Sequence, residues 1–343
     1  MKVLNIGKYI ISAAVAMAAG SCGLITEDLD PCTVDYKVKF TYDRNMLFTD
    51  AFATQVESVS LFVFNKEGDL IWKGSDNGEA LTQPGYVMTL PLEPGDYDMI
   101  AWCGLNEGEE FALAAAEPKT KDDLQCALRK LSDERGDYSA ANLNRLYHGT
   151  VNDIHLTRFD GSGEQSVTIP LTKNTNILHV LLHNLDGSLM DENEFAVTVE
   201  ASNGLMHHDN SVIGNERFEY RHWRRRSAMV GSPEKNETGR ATITTYSTHI
   251  SDLTVARLMA DRNPRLIVTR NADGEKVVDI PLVDYLLMVK DDDSRRPMTD
   301  QEYLDRQDEF TINFFLTGDN SWDRTTAIYI NSWRVVPNQD TSL

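Results

Sequence analysis

His207, His208 and Asp209 follow one another directly, and imidazole with carboxylate is a donor set for a divalent cation. Neighbouring side chains on a strand point to opposite faces, however, so two adjacent histidines rarely reach one ion. A surface loop is the better reading, and no metal is expected. Asp291-Asp292-Asp293 lacks the glycine and the distal glutamate of a calcium-binding loop and reads as a solvated charge run. Arg221-His222-Trp223-Arg224-Arg225-Arg226 gathers positive charge within a strongly acidic chain. A solvated loop or strand edge accounts for it. The sharper alternative is a docking patch for an acidic partner, with Arg221, Trp223, Arg224, Arg225 and Arg226 as anchors, because Arg and Trp are enriched at the energetic centres of interfaces. No G-x-S-x-G, H-E-x-x-H or glycine-rich phosphate loop occurs. No pair of carboxylates stands out, so neither an enzyme nor a cofactor is expected.

Covalent chemistry is suggested at Cys22. Met1-Lys2 and Lys8 make a basic start, an apolar stretch runs through 9–19, and Ala19-Gly20-Ser21 leads into Cys22. A charged region, a short apolar region and small residues before a cut describe a secretory signal at 1–21. Cysteine at the first mature position resembles the bacterial lipobox, in which that residue is acylated; Ala19 stands where leucine is usual. The apolar stretch is shorter than the roughly 20 residues that span a bilayer. The expectation is a chain anchored to a membrane rather than threaded through it.

Cleavage before Cys22 removes Lys2 and Lys8 and no acid, turning 33 basic against 53 acidic residues into 31 against 53, a net charge of −22. So acidic a body does not suit nucleic acid and is repelled by anionic lipid, leaving the acyl chains to hold it at the membrane. Beyond Cys22 stand Cys32, Cys103 and Cys126. An odd number in an oxidising compartment implies one disulfide and one free thiol. A slight preference falls on Cys103 with Cys126 over Cys32 with Cys126, because 103 ends a core strand and 126 is placed on a nearby helix.

The elements that position these residues are mostly strands. After an acidic tether at 22–33, residues 34–42 alternate apolar and polar, the period of a half-buried strand. Further strands are expected at 56–64, 86–92 and 97–103, with Asn65-Lys66-Glu67-Gly68 and Glu93-Pro94-Gly95-Asp96 as turns. A helix is expected at 122–131, where Leu124, Ala127, Leu128 and Leu131 share a face and the end charges suit the dipole; single helical turns are expected near 49–56 and 302–307. Strands follow at 167–171, 177–183, 195–199, 241–246, 253–258, 266–270, 277–282, 310–316 and 327–336. Gly161-Ser162-Gly163 is the best linker signal. Short strands at regular spacing favour an all-β chain of two tandem sandwiches, divided as 34–165 and 166–343.

Several segments together resemble the FimB-type fimbrial anchor lipoproteins of Bacteroidales type V pili. They are the Cys22 signal, Asp28-Leu29-Asp30-Pro31-Cys32, Phe40-Thr41-Tyr42-Asp43-Arg44-Asn45-Met46, Asp50-Ala51-Phe52, Val59-Ser60-Leu61-Phe62-Val63-Phe64, Pro94-Gly95-Asp96-Tyr97-Asp98-Met99-Ile100-Ala101-Trp102, Tyr303-Leu304-Asp305-Arg306-Gln307-Asp308-Glu309-Phe310 and Ile330-Asn331-Ser332-Trp333-Arg334-Val335. The resemblance implies two transthyretin-like sandwiches, a place at the fimbrium base on the outer membrane, and shaft-subunit partners bound by strand exchange. In shaft subunits of this type, cutting after an Arg or Lys removes the lipid and the first strand, whereas an anchor stays uncut. Arg44 sits just past the first strand, so a tip or shaft role stays open, as does a surface glycan-binding lipoprotein using Trp72, Trp102, Trp223, Trp322 or Trp333, although Trp102 and Trp333 sit within strand patterns and are expected in the core. Any donated strand would be 327–336 itself, since only seven residues follow.

Overall fold

A computed structural model describes residues 34–105, 110–158, 163–235, 241–293, 296–323 and 328–335. The expected signal, the tether, Cys22 and Cys32 lie outside the described residues. Strand β1, Val34–Thr41, follows its alternation: Tyr36, Val38 and Phe40 are buried, while Asp35 and Lys39 face solvent. It is the middle strand of a three-stranded sheet, parallel to β11 (Gly163–Pro170) and antiparallel to β4 (Met88–Leu90). The facing sheet runs β12 (Thr172–Lys173), β10 (Tyr147–Leu156), β5 (Gly95–Cys103), β2 (Ser58–Phe64), β3 (Leu70–Asn77). Helix α1, Phe52–Gln55, places Phe52 against Phe40 with ring centroids 5.8 Å apart.

Every residue of β2 is buried, the mark of a strand covered on both faces. Val59, Leu61 and Val63 face the first core with β1. Phe62, Phe64, Ile100 and Trp102 belong instead to a second, larger core. That core is closed by two six-stranded sheets. One runs β17 (Arg224–Lys235), β18 (Ala241–Ala256), β13 (Thr175–Asn184), β21 (Glu309–Leu316), β22 (Ile328–Ile330), β23 (Trp333–Val335). The other runs β20 (Lys276–Pro281), β19 (Arg265–Arg270), β14 (Phe195–Ala201), β16 (Phe218–Arg221), β9 (Gly136–Ser139), β8 (Leu131–Asp133). A small sheet of β15 (Leu205–Met206), β7 (Cys126–Leu128) and β6 (Phe111–Leu113) covers one side. Helices are short: α2 (Leu282–Leu287), α3 (Lys290–Asp293) and α4 (Asp300–Arg306). The last is capped by the Thr299 hydroxyl, which accepts from the Glu302 N–H.

The all-β, two-sandwich reading therefore stands, and several local expectations do not. The segment 122–131 is not a helix. It makes β7 and the start of β8, because Cys126 and Leu128 turn into the core while main-chain pairing to β6 and β15 fixes the strand; long-range pairing overrides a local periodicity. The strands expected at 241–246 and 253–258 are one strand, β18. The polar stretch between them stays in the ladder because Ser247, His249, Ser251 and Asp252 are buried with polar partners. Of the single strand expected at 327–336, the described residues 328–335 form a hairpin instead: Asn331 and Ser332 take positive φ, 47° and 74°, and turn β22 into the edge strand β23. The division at 165/166 cuts through β11, which pairs with β1 throughout. Conversely, β8 and β9 from the first half extend the sheet of the second sandwich, with Glu219 opposite Tyr138.

Candidate functional site

The arginine run is held mainly by this chain's own acids. Arg221, at the end of β16, reaches across β9 to Asp133 (2.6 Å) and to Glu219 (2.9 Å), with its guanidinium 3.9 Å from the Tyr138 ring centroid. It clamps the β8–β9 arm onto the second sandwich, and the guanidinium holds the Asp133 carboxyl down at about 2. Arg221→Ala is expected to release that arm, raising amide exchange several-fold at Leu131–Ser139 and leaving β13 unchanged; equal protection throughout would refute the clamp. Arg224 and Arg226 converge on Asp252, at 2.6 and 3.2 Å, and the opposite carboxylate oxygen is 2.6 Å from His179 Nδ1. Asp252 is fully buried and its pKa is lowered: the His179 and Arg224 hydrogen bonds outweigh the burial that acts the other way. A buried carboxylate needs such partners. Trp223 donates its Nε1–H to Thr254 Oγ1 at 3.1 Å. What remains for a partner is the outer face of Arg224 and Arg226, both about half exposed.

No disulfide joins Cys103 to Cys126. The pairing fails because 103 turns into the first core from β5 while 126 turns into the second from β7. Burial pushes the Cys126 thiol well above its usual range, which makes it unreactive. Of the aromatic platform a flat glycan face requires, little is available: among the described tryptophans Trp102 is buried as expected, Trp72 and Trp322 pack against cores, and Trp333, expected in the core, is instead exposed at 42% because it lies on the edge strand β23. Asp291 and Asp292 are exposed on α3, as a solvated charge run should be. His207 and His208 lie in a turn after β15 rather than on a strand, and the rule of opposite faces does not govern them.

The seam between the sandwiches was not visible in the sequence. Tyr42, just beyond β1, donates its hydroxyl to Asp308 at 2.9 Å, and Lys173 reaches the same carboxylate at 3.1 Å. Arg306 donates to the Asp43 carbonyl at 3.0 Å and stacks on Phe48 at 4.5 Å. Arg44, the residue after which a cut could fall, donates to Thr172 Oγ1 at 3.0 Å. Strand β1 and its exit are thus tied to both sandwiches. Only the segment around 303–308 hinted at this; its contacts with the exit of β1 span more than 250 residues of the chain.

Two tandem sandwiches, the first threaded by the N-terminal strand, define a fimbrial, adhesin-like class of protein. The family of Fimbrillin-A associated anchor proteins Mfa1 and Mfa2 matches residues 29–339, and the chain belongs to that family. A Bacteroides thetaiotaomicron protein provisionally called an adhesin is 32% identical and superposes with a TM-score of 0.76 over 91% of this chain and 100% of its own. A second B. thetaiotaomicron structure, provisionally called a polysaccharide-binding protein, is 30% identical with a TM-score of 0.72 over 90% and 99%. The fimbrial anchor protein Mfa2 from Porphyromonas gingivalis shares the fold at 18% identity, TM-score 0.63, over 89% and 99%. No curated protein matches the chain.

Proposed function

We propose that this chain is the lipid-anchored base subunit of a fimbrium, tethered to the outer membrane through acylated Cys22 and ending the fibre at the cell surface. The observation that carries the reading is β1. It is hydrogen-bonded along both edges, to β11 and β4, and buries Tyr36, Val38 and Phe40. While β1 stays, the first groove is already filled and accepts no strand from another subunit, and the lipid at Cys22 stays covalently attached to the folded body. Loss of β1 by cutting after Arg44 would undo both at once. Segment 22–33 is long enough to hold the body up to about 40 Å from the membrane, which suits an acidic surface facing anionic lipid. Attachment to the next subunit falls to the C-terminal hairpin. Edge strand β23 pairs on one side only among the described residues, and such an edge is where a neighbour's strand adds. The family, described as anchor proteins, supports the same reading.

The test is Cys22→Ala with the mass of the mature N-terminus. Because two or more acyl chains anchor stably where one is marginal, the variant should move from the membrane to the soluble fraction and fibres should detach into the medium. The wild-type chain should begin at modified Cys22. A mature wild-type protein beginning at Asn45, without lipid and β1, would assign the chain to the shaft or tip instead.

A further inference from the structure

Two loops meet beside the small three-stranded sheet. Pairing of Leu205 with Ala127 and of Met206 with Cys126 brings the residues before β7 against those after β15. After β15 the chain makes a tight turn: Asn210 N donates to the His207 carbonyl at 2.9 Å, His207 N to the Ser211 carbonyl at 2.8 Å, and Ser211 N to Asp209 Oδ1 at 2.9 Å. Asn210 holds φ at 68°. In this turn His207 and His208 lie on the same side, with ring centroids 4.2 Å apart. The His208 carbonyl is fixed from beneath by Nε2 of buried His148, 2.8 Å away. On the other loop, Asp123 takes the N–H groups of Lys119 and Thr120, and Asp122 is left exposed and directed at the two rings. Its Oδ1 is 3.9 Å from His207 Nε2 and 3.7 Å from His208 Nε2, and the three ligand atoms all lie within 4.8 Å of one another.

These separations are too long for hydrogen bonds, so the carboxylate is not bonded to either ring. Two ring nitrogens and one carboxylate oxygen converging on a common point are instead the ligand pattern of a metal. A tetrahedral ion with bonds of about 2.0–2.1 Å sets its ligand atoms about 3.3 Å apart; a closure of about half an ångström by the exposed Asp122 brings its oxygen to that distance from both rings, and the two rings, now within 4.8 Å of each other at their ligand nitrogens, close on the ion by side-chain rotation. Calcium and magnesium require oxygen-rich shells; imidazole with one carboxylate suits zinc. Asp209 stands 3.7 Å from the far nitrogen of His207, where a negative charge favours the ring as a ligand. The neighbouring Lys121 is paired with Asp98 and does not occupy the point.

We propose that Asp122, His207 and His208 form a zinc site, with the fourth position open to water. Occupied, it staples the loop before β7 to the turn after β15, joining segments from the two halves of the chain. The expectation of no metal from adjacent histidines assumed strand geometry, and the turn removes that premise.

The test uses the full chain in detergent, stripped with EDTA and titrated with zinc chloride by calorimetry, with cobalt(II) absorbance as a report on geometry. One saturable zinc ion per chain, a tetrahedral cobalt spectrum and a zinc-dependent rise in Tm support the site. The double variant His207→Ala, His208→Ala should lose all three, and Asp122→Asn should weaken binding about tenfold or more. In EDTA both variants should melt with the wild type, which shows the fold intact. Absence of saturable binding by the wild type, or undiminished binding by the double variant, overturns the proposal.

Discussion

Acidification from about pH 7 to about pH 4.5 is expected to cost the fold roughly 2–3 kcal/mol for each of two histidines. His148 and His249 are buried, and burial is the first cause of pKa values of about 4 against 6.5 for the free side chain. His148 faces the His208 carbonyl and Asp209, which favour its charging, and Arg257 and the His208 ring, which oppose it; His249 faces His222 and Arg225 on one side of the balance and Asp191 on the other. Between about 6.5 and 4 the unfolded chain binds protons that the folded chain refuses. Stability is therefore whole above that window and falls as the pH drops through it. His183 and His222, also lowered by burial, act in the same direction. The carboxylates do not share the window: Asp98, Asp133 and Asp252 have lowered values and lose their support only at more acid pH. Urea unfolding midpoints measured across this range should fall steadily, and His148→Gln with His249→Gln should flatten the profile. A midpoint constant in the wild type from neutral to pH 4.5 would sink the argument.

Phe40→Ala should destabilise the protein by about 3–5 kcal/mol, the range for removing a fully buried aromatic side chain. Phe40 is 1% exposed, stacks on Phe52 at 5.8 Å and approaches Tyr86 at 6.3 Å. It lies on β1, the strand whose retention the proposed anchoring role requires, so the cost reports how firmly the first groove is filled. Lys39→Ala on the exposed face of the same strand should change stability by no more than about 0.5 kcal/mol. Chemical denaturation of both variants checks the contrast. Equal, small effects would mean that β1 is only loosely seated, and a seat so weak could not keep the first groove closed to a strand from another subunit.

In four strands with one face buried and the other more open the chain alone sufficed, because the alternation is local. β1, β13, β14 and β21 all follow the period of two that their residues show. The same holds for α4, whose cap and first-turn acids are contiguous in sequence, and for the resemblance that the family match bears out. Other features depended on partners distant in the chain. The spacing of Leu124, Ala127, Leu128 and Leu131 fits a helix on its own and becomes strand only when β6 and β15 supply hydrogen bonds. Asn331 and Ser332 carry no glycine to announce a turn, yet packing of β22 on β21 reverses the chain there. A run of arginines declares charge but not its destination, and Asp252 and Asp133 lie 28 and 88 residues away from Arg224 and Arg221. Asp122 likewise meets two histidines more than 80 residues further on. Side-chain periodicity records which face of an element is buried; which elements face one another is set by the global packing, and it alone decided that β8 and β9 join the second sandwich, where β1 is locked, and which ligands converge.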